Sequence, residues 1–188
     1  MSIKQTLSAD ALVTFGSQAF AEDRESHISD GFGSKNPEEL SLKGALGRSR
    51  HGEWHPMASA LAYGAAKAGL HEEAREVFAD SANRDNLQGM TRLSWMEDNS
   101  LAGSENPETA AYWDRRAMEL GSEVGAFNYG LDVLRGRGVP YDQELGERII
   151  RQAAEMGSDT AQHLIDNELD LDTVTLDADE WKYEKKLF

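Results

Sequence analysis

Laid over itself with a shift of thirty-six residues, this chain matches. Arg115-Arg116-Ala117-Met118-Glu119-Leu120-Gly121-Ser122-Glu123 falls on Arg151-Gln152-Ala153-Ala154-Glu155-Met156-Gly157-Ser158-Asp159, and the match runs on through Gly125 over Ala161 and Tyr129 over Ile165. One step further back, Ala74 lies under Ala110, Val77 under Trp113, Gly89 under Gly125 and Leu93 under Tyr129. A recurrence of this length, with small and large apolar positions in phase, restricts the fold to stacked copies of one supersecondary unit.

The spacing inside each unit is helical. Leu145, Ile149, Ile150, Ala153 and Met156 fall on one face of a single helix. Gly121 and Gly157 sit where such helices stop, since glycine accepts the left-handed conformation after a helix end. Asn106-Pro107-Glu108 and Asn36-Pro37-Glu38-Glu39 read as helix starts: a capping side chain, proline in the first turn, then acids at the positive dipole end. Ala110, Ala117, Ala153, Ala154, Ala161, Gly125 and Gly130 recur where two helices would cross closely. One hairpin alone leaves an apolar face wet, and the next hairpin buries it.

Three stretches carry a family resemblance: Gly125-Ala126-Phe127-Asn128-Tyr129-Gly130, Gly136-Arg137-Gly138-Val139-Pro140-Tyr141-Asp142, and Arg151-Gln152-Ala153-Ala154-Glu155-Met156-Gly157. Together they resemble the Sel-one-like repeat, a branch of the tetratricopeptide superfamily, most closely over residues 89–165. Tyr129 stands for the usual leucine and Ile149 for the usual aromatic residue, both apolar replacements. The resemblance implies an all-α chain, a right-handed superhelical stack of antiparallel helical hairpins.

The expected organisation is a degenerate helical unit or extension over 1–52, with helical elements sought at 8–47, and an array over 53–165. The array divides at about 53–86, 87–122 and 123–158, followed by the start of a capping helix. Its extra residues fall in a longer loop at 99–105. Residues 166–188 form an acidic linker and a C-terminal capping helix: the stretch 166–180 holds seven acids and no base, and aromatics and lysines follow.

Composition narrows the partners. Thirty-four acids against nineteen bases leave a net charge of −15, a field that repels nucleic acid and anionic lipid and attracts a basic partner. No apolar run approaches the roughly 20 residues a membrane helix needs. The chain has no cysteine, which excludes disulfides and thiolate sites, and its first residues lack a secretory signal pattern. A cytoplasmic location is the expectation.

Candidate chemistry is sparse. His51 and His55 are four apart, but Glu53 is out of place for the metalloprotease pattern and Pro56 interrupts a helix. Asp166, Glu168, Asp170 and Asp172 alternate like calcium-loop ligands, yet the sixth and twelfth positions hold Leu171 and Asp177. Gly31-Phe32-Gly33-Ser34-Lys35 lacks phosphate-loop spacing. No catalytic residue, metal or cofactor is assigned.

In tetratricopeptide relatives the first helix of each hairpin lines the concave face. The resemblance therefore implies a recognition stripe of Tyr63, Trp95, Phe127 and Leu131, with Arg92, Asp98, Asp132 and Arg135 as its polar rim. A protein or peptide partner is the expectation, bound by an adaptor or regulator. The alternatives are an acidic immunity protein that neutralises a basic toxin and a hydrolase with a scattered site. The chain's own termini are rival occupants of the groove.

Overall fold

The computed structural model describes residues 42–53, 55 and 57–174. The readings at 8–41, at Pro56 and beyond residue 174, including the closing helix, lie outside the described residues. Among the described residues eight α-helices follow in order: α1 Leu42–Arg50, α2 Ala58–Lys67, α3 His71–Asn83, α4 Leu87–Asp98, α5 Pro107–Glu119, α6 Glu123–Arg135, α7 Gln143–Glu155 and α8 Asp159–Asp166. A short 3-10 turn, Leu171–Thr173, comes after them, and no strand occurs among the described residues. The chain is all-α.

The thirty-six-residue recurrence survives in the hydrogen bonds that start and end the helices. Ser122 Oγ accepts from Gly125 N (3.0 Å) and Ser158 Oγ from Ala161 N (3.2 Å), while Asn86 Oδ1 accepts from Gly89 N (2.8 Å). Asn106 and Asp142 do the same for α5 and α7, accepting from Thr109 N (3.1 Å) and Leu145 N (3.0 Å). Each such cap is worth about 1 kcal/mol. The tight turns between units recur as well, with Asp85, Gly121 and Gly157 all in the left-handed region at φ 58°, 92° and 102°.

Helices α2–α3, α4–α5 and α6–α7 form hairpins, and each packs on the next through α3–α4, α5–α6 and α7–α8. The first helices also touch along one side, α2 with α4 and α4 with α6, forming an inner row. One core runs from Ala45 and Leu46 of α1 through Phe78, Met90 and Met96 to Trp113 and Ala117 of α5. A second joins Phe127 and Leu131 of α6 to Ile150 of α7 and to Ala161 and Leu164 of α8. Leu145, Ile149, Ile150, Ala153 and Met156 all turn inward, Ile150 and Ala153 fully.

Small residues set the distance between units. A Cβ placed on Gly125 would lie 2.6 Å from Ala117 Cβ and 2.9 Å from the Asp114 carbonyl oxygen. Thirty-six residues earlier, a Cβ on Gly89 would meet Ser81 Cβ at 2.6 Å and Ala82 N at 2.8 Å. Gly64 in α2, by contrast, has nothing within 4 Å of its added carbon. Gly125→Ala is expected to cost about 2 kcal/mol by prising α5 and α6 apart. Gly64→Ala is expected to stabilise by about 0.5–1 kcal/mol, because it only removes unfolded-state freedom from an open helix position. Urea unfolding of the two variants gives opposite signs if α5 and α6 cross this closely.

Candidate protein-binding groove

The inner row presents α2, α4 and α6, and the four expected stripe residues do not share one environment. Tyr63 and Trp95 are half-buried and pack against the first core. Phe127 and Leu131 are only 4% and 7% exposed. The last helix and the chain beyond it cover them. Ala161 and Leu164 of α8 join their cluster, and Leu169, Leu171 and Val174 pack against it. Tyr63 and Trp95 therefore keep accessible surface, while Phe127 and Leu131 lie inside the fold.

The rim residues divide in the same way. Arg92 is exposed, its Cζ 4.1 Å from the centre of the Tyr63 ring, and Lys67 Nζ lies 5.6 Å from that centre. Both distances are within cation–π range. Arg135 is exposed at the end of α6. Asp98 accepts from Arg137 Nε at 3.1 Å, and Arg137 Nη2 donates to the Asp98 carbonyl (2.9 Å) and to Glu105 (2.6 Å). That arginine, the middle residue of Gly136-Arg137-Gly138, ties the α6–α7 loop to the α4–α5 loop one unit earlier.

Asp132 is buried, 7% exposed, and its Oδ2 has no hydrogen-bond partner. Burial, reinforced by the charge of Asp98, pushes its pKa up to about 7 against the opposing pull of Arg137 and Arg135. A second carboxylate, Asp114 of α5, is buried between α4 and α6. The Ser94 hydroxyl donates to one of its oxygens and Asn128 Nδ2 to the other at 3.1 Å. Burial holds the Asp114 pKa well above the usual range despite those bonds. Neither Asp114 nor Arg137 figured among the sequence candidates, and the same holds for Lys67.

The other sequence candidates have local duties. His51 Nδ1 pairs with the Gly47 carbonyl at 2.7 Å as α1 ends, and His55 Nδ1 accepts from Met57 N at 3.1 Å as α2 begins. Asp170 caps the turn that follows α8, accepting from Asp172 N at 3.0 Å. Among the described residues no cluster of three or more His, Asp or Glu side chains is placed to hold a metal ion. No helix of the described residues is long and apolar enough to cross a membrane.

No family model and no curated protein matches the chain. Several solved structures resemble it. A Sel1 repeat protein from Oxalobacter formigenes superposes with a TM-score of 0.53 at 18% identity, covering 67% of this chain and 97% of that one. This chain has the Sel1-like repeat fold. The Helicobacter pylori cysteine-rich protein B superposes equally well, TM-score 0.53 at 14% identity, covering 65% of this chain and 90% of the other. The Sel1-like array here has no cysteine, so packing, caps and the Arg137 tie hold it without disulfides. On its inner row Tyr63 of α2 and Trp95 of α4 keep half-exposed side chains.

Proposed function

We propose that this chain is a protein-binding adaptor or regulator that takes a peptide or helix of another protein on the inner row of its Sel1-like array. The observation that carries the reading is the pair Tyr63 and Trp95, two large aromatic side chains left half-exposed on adjacent first helices. Rigid aromatics in such a setting supply contact area at low entropic cost and are favoured anchors for a docked peptide. Arg92 and Asp98 form the polar edge of this surface. Phe127, Leu131 and Asp132 act from beneath, by fixing the position of α6, and Arg135 marks the far rim.

The net charge of −15 favours a partner that is basic overall, since the field then speeds encounter and fixes orientation. The same charge supports a second reading, neutralisation of a basic toxin by an acidic immunity protein in the cytoplasm. Adaptor and immunity readings make the same demand of Trp95. Trp95→Ala is expected to weaken a purified partner by about 2 kcal/mol, roughly thirtyfold, with the far-ultraviolet spectrum unchanged. Titration calorimetry with the variant measures this, and undiminished affinity would move the site elsewhere.

A further inference from the structure

Nineteen bases stand against thirty-four acids in this chain, and a cation left without a carboxylate neighbour is available to an acidic group from outside. Arg75, Arg116 and Arg137 each hold a carboxylate from another element: Glu97, Asp85, and the Asp98–Glu105 pair. Arg92, Lys67, Arg135 and Arg151 hold none among the described residues, but of these only Arg92 and Lys67 lie against an aromatic ring, that of Tyr63. Tyr63 and Lys67 are one turn apart on α2, and Arg92 and Trp95 one turn apart on α4. A guanidinium lying on an aromatic ring uses its face and keeps its in-plane N–H groups for an acceptor. The Trp95 indole N–H also lacks an acceptor among the described residues.

Resting on the groove reading above, we propose that Lys67, Tyr63, Arg92 and Trp95 form a receptor for one carboxylate side chain of a partner peptide, flanked there by an aromatic or large aliphatic residue. The acid takes the free edge of Arg92 in a two-pronged bond, with Lys67, 5.6 Å from the centre of the same ring, adding its charge. The flanking apolar side chain lies against Trp95. The negative field of the whole chain and this local positive pair then act on different scales. The field selects a partner surface that is basic on average, and the pair selects a single acid within it.

The test begins with the full chain as bait for a random dodecapeptide library displayed on phage. Enriched sequences are resynthesised with a fluorescent label and titrated by anisotropy. The expected result is an Asp or Glu within three positions of Trp, Tyr, Phe or Leu. Changing that acid to its amide weakens binding about tenfold. Arg92→Gln weakens the acidic peptide by a similar factor but barely affects the amide peptide, so the two changes are coupled. Lys67→Gln has a smaller effect of the same kind. If Trp95→Ala abolishes binding while the acid-to-amide change and Arg92→Gln do nothing, the groove reading stands and the carboxylate receptor falls. If Trp95→Ala and Arg92→Gln both leave every selected peptide unaffected, or if no peptide is enriched, the groove reading falls as well.

Discussion

Gly138→Ala is expected to destabilise the protein by roughly 4 kcal/mol and to lower its melting temperature by on the order of 10 °C. Two effects add. Gly138 has φ +69°, a region that costs a side-chain-bearing residue about 1 kcal/mol. A Cβ there would also lie 2.0 Å from the carbonyl oxygen of Pro107 and 2.4 Å from its carbonyl carbon, both backbone atoms at the start of α5. The α6–α7 loop cannot retreat freely. Arg137 holds it to Asp98 and Glu105, and Asp142 N donates to the Val133 carbonyl at 3.2 Å. Relief must come from shifting the loop off α5, which breaks the Arg137 tie. Gly136→Ala is the comparison: it has a similar φ of +62°, but its nearest foreign atom is Tyr141 Cβ at 3.2 Å, so about 1 kcal/mol is expected. Thermal melts of both variants by circular dichroism decide the point. Equal losses would mean that backbone conformation alone, and not the approach to Pro107, makes glycine necessary at 138.

The stack could be read from the sequence because its determinants are local and repeat. Caps at Asn86, Ser122 and Ser158, and at Asn106 and Asp142, each depend on one side chain and a backbone N–H three residues on. Packing glycines recur for the same reason. The groove was less legible because the fate of its residues is decided by other segments. Phe127 and Leu131 occupy positions equivalent to Thr91 and Trp95, yet α8 and Leu169, Leu171 and Val174 bury them. Those last three stand in a run that reads as a solvated acidic stretch. Asp114 had a usable signal. The shift of thirty-six places it on Phe78 and on Ile150, both 0% exposed, so an interior carboxylate was implied at a site otherwise apolar. In the next unit the equivalent of Ser94 and Asp114 is Gly130 and Ile150, where the isoleucine fills the notch above the glycine. Arg137 had no such signal, because its partners, Asp98 at the end of α4 and Glu105 in the loop after it, lie thirty-nine and thirty-two residues away in sequence and are brought near only by the stacking.

The second large effect is a dependence of stability on pH that runs against the usual direction for carboxylates. An Asp in the unfolded chain titrates near 4, whereas Asp132 in the fold titrates at about 7. Below pH 4 both states are protonated and the group is neutral to stability. As pH rises from 4 to 7 the unfolded chain releases its proton and the fold retains it, so stability falls throughout that window and levels off above it. The full difference is roughly 4 kcal/mol. Asp114, with its pKa also raised by burial, acts in the same direction, while Arg137 and Arg135 limit the cost by their charge on Asp132. Asp132→Asn removes the ionisation and keeps the shape. The variant is expected to match the parent at pH 4 and to exceed it at pH 8 by several kcal/mol. Urea unfolding of both proteins across this range isolates the one group from the general repulsion of a chain at −15. A gain that is the same at pH 4 and pH 8 would show that Asp132 is costly for its polarity and not for its charge, and that it titrates alike in the folded and unfolded chains.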